Sequence, residues 1–172
     1  MESPLAKKWQ NLNRTSVQTA QSVELEMPTK EFNVPTDFGK FNDMIGSPIH
    51  PGTGERTPIF DYQDEYFKAW QKHHKLILNK SRKIGATETA LRIIAYNCII
   101  GRYSGHRVMI VAGNKQEVAN RFIQRFKSLF MKGFTDLDGV TYEYDDIITK
   151  EDSKSCMVNN PFVQASPANE SV

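Results

Sequence analysis

Eight residues, Lys80-Ser81-Arg82-Lys83-Ile84-Gly85-Ala86-Thr87, gather three cations, one glycine and a terminal hydroxyl. They lie between a short apolar run at 75–79 and a long apolar segment at 88–101. A strand, a polar glycine-containing loop and a buried helix, in that order, form the setting in which a backbone loop wraps phosphates. In such a loop Gly85 lets the backbone pass close to the oxygens. The amides of 84–88, Ala86 and Glu88 included, lie at a helix N-terminus and can cradle an anion. The Thr87 hydroxyl can ligate Mg²⁺, and the β- and γ-phosphates need a cation. The usual pattern is G-x-x-x-x-G-K-[ST]. Here Lys80 takes the place of the first glycine and Ala86 that of the lysine. The cation must then come from Lys80, Arg82 or Lys83, of which Lys80 can fold back over the loop. The same residues also describe a basic turn that does no more than cap a buried helix.

Tyr62-Gln63 lies 17 residues before Lys80. An amide can read the edge of adenine while an aromatic ring packs on its face, so these two residues are the candidates for a base site. The competing reading places Tyr62 in the core and leaves Gln63 solvated.

The elements that must position these residues follow from periodicity. In DYQDEYFKAWQKHH, Tyr62, Tyr66 and Trp70 recur at i, i+4 and i+8, which predicts a helix with Asp61 as N-cap and His73-His74 at its end. Residues 75–79 read as a short apolar strand. A helix over 88–101 turns Leu91, Ile94, Ala95, Cys98 and Ile99 inward, is nearly buried all round and ends at Gly101. A second apolar strand spans 107–112. Asn114 and Glu117 then give a capping-box signature for a helix that places Val118, Phe122, Phe126 and Leu129 inward and Arg121, Arg125 and Lys127 on a solvated face. Apolar strands alternating with helices predict an α/β fold with a central, mostly parallel sheet flanked by helices. Past residue 133, EYDDII and CMVNN–FVQA read as short strands of a meander.

The 172 residues are 39% hydrophobic and 24% charged, enough for one domain with a core. No run is long and apolar enough to span a membrane, and no secretory signal is visible. Two unrelated cysteines point to a reducing compartment and exclude a disulfide framework. Charge is uneven: residues 58–130 hold thirteen Lys/Arg against five Asp/Glu, whereas 131–172 hold three against eight. The middle of the chain is therefore where an anionic ligand is sought. Residues 1–57 read as a flexible or extended leader, disordered to about residue 30 and loosely docked over 31–57; the ordered domain is expected at 58–172.

The run FDYQDEYFKAW…KLILNKSRKIGATETALRIIAYNCI…RVMIVAGNKQEVANRF resembles the ATPase domain of the terminase large subunit of tailed viruses, the motor that packages viral DNA. Ser81, Arg82, Gly85 and Thr87 match the family's Ser-Arg-Gln-x-Gly-Lys-Thr loop, and some members carry the lysine at the loop's first position, as Lys80 does. The resemblance covers about 58–172. It implies a P-loop NTPase fold of the ASCE type and an ATPase using ATP and Mg²⁺, with the nucleotide held by Lys80–Glu88 and Tyr62-Gln63. It further implies Mg²⁺ on Thr87, Arg82 as a transition-state arginine and double-stranded DNA as substrate. A small terminase subunit, a portal ring, a homo-oligomeric ring and the host cytoplasm are implied for a full-length protein.

Asp-Glu after an apolar strand, which the family uses to hold Mg²⁺ and place water, has no counterpart here. Glu143, Asp145 and Asp146 follow too little apolar sequence, and AlaSerProAlaAsnGluSerVal at 165–172 resembles the segment leading into that strand. The chain is thus expected to be a partial, inactive ATPase domain. The alternatives are a helicase-like, nucleic-acid-stimulated ATPase, and a non-catalytic nucleic-acid-binding or virion module whose 80–83 cluster touches phosphates.

Overall fold

The structure, a computed structural model, describes residues 30–50, 52–81, 84–113 and 115–168. Arg82, Lys83, Asn114 and the expectation for residues 1–29 lie outside these. The fold is mixed α/β. In chain order it comprises α1 (Phe38–Met44), α2 (Asp61–Lys72), α3 (Ala86–Ile99), β1 (Arg107–Val111), α4 (Gln116–Ser128), β2 (Phe134–Thr135), β3 (Thr141–Tyr142), α5 (Tyr144–Ile147), β4 (Ile148–Glu151), β5 (Ser155–Val158) and β6 (Phe162–Ser166).

Four strands form one sheet in the order β1-β6-β5-β4, and β2 and β3 form a separate two-stranded ribbon. β1 and β6 run parallel, with Arg107 opposite Phe162 and Val111 opposite Ser166. The β6–β5 and β5–β4 pairs are antiparallel. The expected mostly parallel sheet is corrected to a mixed one: the 162–166 segment, expected in a meander, joins β1 in parallel, and the turn-linked strands after it in the sheet reverse direction.

The strand expected at 75–79 does not form. Its backbone is irregular, and Ile77 is 97% exposed. A continuous apolar run makes a strand only where sheet partners and a covering layer meet it, and no described strand pairs with it. β1 shows the same incomplete cover: Val108 and Ile110 are half-buried, while Met109 and Val111 are exposed.

α3 is the hub. Leu91 through Ile99 are all buried, because α2, α4 and β5 each pack on it. Its last turn closes at Gly101, as expected. α4 lies across the sheet and buries Ala119, Ile123 and Phe126. Its inner face is therefore rotated from the expected one, with Val118 and Phe122 only half-buried. Lys127, expected in solvent, is also buried. Its ammonium reaches past the helix end to Glu151 Oε2 at 2.7 Å and to the Asp152 carbonyl at 2.6 Å. The tract EYDDII at 143–148, expected as a short strand, is a helical turn over Tyr144–Ile147, with only Ile148 in a strand. Asp146 Oδ2 accepts the Glu143 amide at 3.1 Å and closes the turn.

Within 31–57, expected as a loosely docked leader, α1 and the residues around it join the core. Asp37 caps α1 by accepting the Lys40 amide at 2.8 Å. Phe38 stacks on Phe67 of α2 with ring centroids 4.3 Å apart, and Phe41 meets Tyr96 of α3 edge-on at 5.0 Å. Phe32, Phe38, Phe41 and Ile45 are all buried, worth roughly 1.5–3 kcal/mol each. Farther along, Asn159 Oδ1 accepts the Lys30 amide at 2.8 Å and its Nδ2 donates back to the Lys30 carbonyl at 3.0 Å.

Both cysteines are buried. Burial raises the Cys98 thiol far above its usual range and pushes Cys156 up to about 12. Ellman's reagent at pH 8 should therefore leave both thiols unmodified in the folded chain and titrate two thiols only after denaturation. Rapid reaction of either native thiol would contradict this packing.

Candidate functional site

α3 begins at a glycine in the left-handed conformation. Gly85 is the N-cap residue, with φ 77° and ψ 1°, a region that residues bearing a Cβ rarely enter. Its carbonyl accepts both the amide and the hydroxyl of Thr89, at 3.0 and 3.2 Å, and so starts the helix. A Cβ at this position would lie 3.0 Å from Gln63 Nε2. The backbone angle strains any other residue here, and a Cβ would also press the Gln63 amide aside.

The N-terminus of α2 is set against this turn. Gln63 is buried, and its Oε1 accepts the Phe60 amide at 3.1 Å, which caps α2. Asp61, expected as the cap, is the first helical residue and adds a carboxylate to the first turn. Gln63 also lines the adjoining cleft, with its Nε2 next to Gly85. The Tyr62 hydroxyl donates to the Ile84 carbonyl at 2.8 Å. Its ring is 44% exposed and stacks on Phe60, with centroids 5.7 Å apart and planes inclined by 8°. Tyr62 thus belongs to the site wall rather than to the core.

These groups border a cleft of about 1040 Å³ between α3, the 45–60 segment and the end of α4. Ile49, Phe60, Tyr62 and Met131, among the most exposed large apolar side chains of the fold, all line it. Arg56, Arg92, Arg125 and Lys132 line it too, against the single carboxylate of Glu88. The cleft thus joins apolar faces to positive charge, a combination suited to an aromatic anion.

Glu88 is already engaged. Its Oε1 pairs with Arg92 Nε at 3.0 Å and its Oε2 with Arg125 Nη2 at 2.9 Å. Only the backbone amide of Glu88 remains for the cradling role expected of it. Arg125 is exposed, as expected of a solvated face, and its guanidinium also borders the cleft. Arg92 is buried and also donates to Asn42 Oδ1 and to the Gly46 carbonyl, both at 2.9 Å. Desolvation lowers its pKa, and Glu88 opposes that shift.

Of the residues singled out in the sequence, Tyr62, Gln63, Ile84, Gly85 and Glu88 meet at this cleft. Lys80 and Ser81 are exposed on irregular backbone, Ala86 is buried and Thr87 is half-buried; none of these four lines it. Glu143, Asp145 and Asp146 do not line it either. Comparison with protein-family models and with curated proteins gives no match. The residues that sequence reasoning missed are Phe60, Arg92 and the 45–58 wall. Phe60 had a local signal, an aromatic two positions before Tyr62; Arg92 had only its i, i+4 spacing from Glu88, since its other partners, Asn42 and the Gly46 carbonyl, are distant in sequence.

Proposed function

We propose that this chain is the ATP-binding part of a terminase-like DNA-packaging ATPase, with the 1040 Å³ cleft taking the base and ribose and the 80–88 loop taking the phosphates. The observation that carries the reading is Gln63, a buried residue in the lining of the cleft whose Nε2 stands beside the left-handed Gly85. A ring nitrogen of a purine could accept from Nε2, a hydrogen bond worth about 0.5–1.5 kcal/mol. Phe60 and Tyr62 supply an aromatic edge for the base. The terminase part of the proposal rests on the resemblance of the loop and its flanks.

In this reading Lys80 contacts the β- and γ-phosphates, and the amides at the start of α3 hold their oxygens. Among the described residues no three His, Cys, Asp or Glu side chains converge on a point that could cage a metal. One hydroxyl, Thr87, fits a Mg²⁺ that arrives on the nucleotide, because such an ion takes one or two protein groups and keeps its phosphates and waters. When bound, Mg²⁺ neutralises charge on the phosphates. Glu88 stays with its two arginines and does not serve as the base that orients water. Arg82, matching the family's loop arginine, is assigned to transition-state charge.

Calorimetry with ATP–Mg²⁺ and with AMP tests the assignment. Losing a charge-assisted contact costs on the order of 1.5–3 kcal/mol, so Lys80→Ala should weaken ATP by about 10- to 150-fold and leave AMP nearly unchanged. Equal losses for the two nucleotides would show that Lys80 supports the fold rather than the phosphates.

A further inference from the structure

We infer that the Tyr62 hydroxyl is a positioning group, which couples the base side of the cleft to the turn that starts α3. The inference rests on the nucleotide reading and deepens it, giving Tyr62 a role separate from the aromatic edge that its ring provides.

Tyr62 meets the site twice. Its ring borders the cleft and stacks on Phe60. Its hydroxyl donates to the Ile84 carbonyl at 2.8 Å, 22 positions along the chain. The Ile84 carbonyl and the Gly85 N–H belong to one planar trans peptide and point in opposite directions from it. Holding the carbonyl therefore aims the amide. That amide is among those at the start of α3 that can take a phosphate oxygen. The next residue of α2, Gln63, flanks the same turn, with Nε2 3.0 Å from where a Cβ on Gly85 would lie.

The two partners are held with different firmness. α2 is anchored along its length: Phe67 stacks on Phe38 at 4.3 Å, and Trp70 Nε1 donates to the Tyr103 hydroxyl at 2.9 Å. The chain that enters the turn is not, since Lys72 through Ser81 are exposed and Ile84 is half-buried. Tyr62 is thus the fixed post, and Ile84 is the part that can shift. A base packed against the Tyr62 ring restrains that ring and keeps its hydroxyl on Ile84. The Gly85 amide is then already aimed when the phosphates arrive. By linkage the effect runs both ways, so base and phosphates strengthen each other's binding. One hydrogen bond carries the coupling, which bounds it at about 2- to 12-fold.

The test is calorimetry of the full chain with ATP–Mg²⁺, adenosine and inorganic triphosphate–Mg²⁺. Tyr62→Phe keeps the ring and its stacking but deletes the hydroxyl. It should weaken ATP by about 2- to 12-fold and leave adenosine nearly unchanged. Saturating adenosine should tighten triphosphate binding in the wild type and lose that effect in Tyr62→Phe. Tyr103→Phe, which removes a hydroxyl at the other end of α2, should change neither affinity. Hydrogen exchange at the Gly85–Glu88 amides of the free chain should quicken in Tyr62→Phe alone, a readout independent of any nucleotide. An unchanged ATP affinity in Tyr62→Phe, or equal losses for ATP and adenosine, would overturn the inference while leaving the nucleotide reading in place. A wild type that binds none of the three ligands would overturn the nucleotide reading and this coupling with it.

Discussion

Gly85→Val should remove nucleotide binding, with Kd raised at least 30-fold, in a chain that still folds. The native residue has φ 77°. A valine held there is strained by about 1–3 kcal/mol, and its Cβ would meet Gln63 Nε2 at 3.0 Å before its methyl groups are counted. Relaxation has two routes. If the turn leaves the left-handed region, the start of α3 no longer presents its amides. If Gln63 moves, the Phe60 amide loses its acceptor and the cleft loses its donor. Both routes damage the same site, while the α3 core from Leu91 onward is untouched. Gly85→Ala should fall between wild type and Val. Circular dichroism paired with calorimetry checks this; native affinity in Gly85→Val would place the nucleotide elsewhere.

The second large effect is on stability. Arg92→Ala should cost about 3 kcal/mol in urea unfolding, because breaking a buried ion pair leaves its partners without compensation. Arg92 holds Glu88, Asn42 and the Gly46 carbonyl at once, and Asn42 is fully buried. Glu88 keeps Arg125, which holds the loss below the upper range for such pairs. Asn42→Ala and the double variant should give a coupling energy of about 0.5–3 kcal/mol, since the two side chains bond directly. Hydrogen exchange should quicken over 38–46 in Arg92→Ala, because that guanidinium joins α1 and the cleft wall to α3. A loss under 1 kcal/mol, or additive single effects, would mean the cluster behaves like a surface pair.

Much of the α/β skeleton was legible because long helices announce themselves. α2, α3 and α4 carry apolar periods over 12 or more residues, and Gly101 marks the end of α3. α1 was missed for the opposite reason. Its seven residues hold two buried aromatics, Phe38 and Phe41, too few for a periodic signal against a polar background. The 75–79 run misled because apolarity reports a capacity for burial, and burial depends on partners that lie elsewhere in sequence. The parallel register of β6 on β1 is likewise non-local.

At the site, Tyr62, Gln63 and Gly85 were readable from spacing and residue type. The arginines were not. Arg125 is exposed, as the helical wheel gives it, but its pairing with Glu88 on α3, 37 positions away, is invisible to a wheel that sees only its own helix. Lys127 was misplaced for the same reason, its acceptors being Glu151 and the Asp152 carbonyl. Charge counting located the basic block of the chain without distinguishing cations paired inside the fold, such as Arg92, from those left exposed, such as Lys75.

The most direct test of the nucleotide reading is an amide NMR titration of the folded chain with ATP–Mg²⁺ up to millimolar concentration. Saturable shifts are expected at Gly85 through Thr89, at Tyr62 and at the Gln63 side-chain NH₂, with the 150–158 strands unmoved. Absence of saturable shifts, or shifts confined to residues away from Gly85 and Gln63, would contradict it.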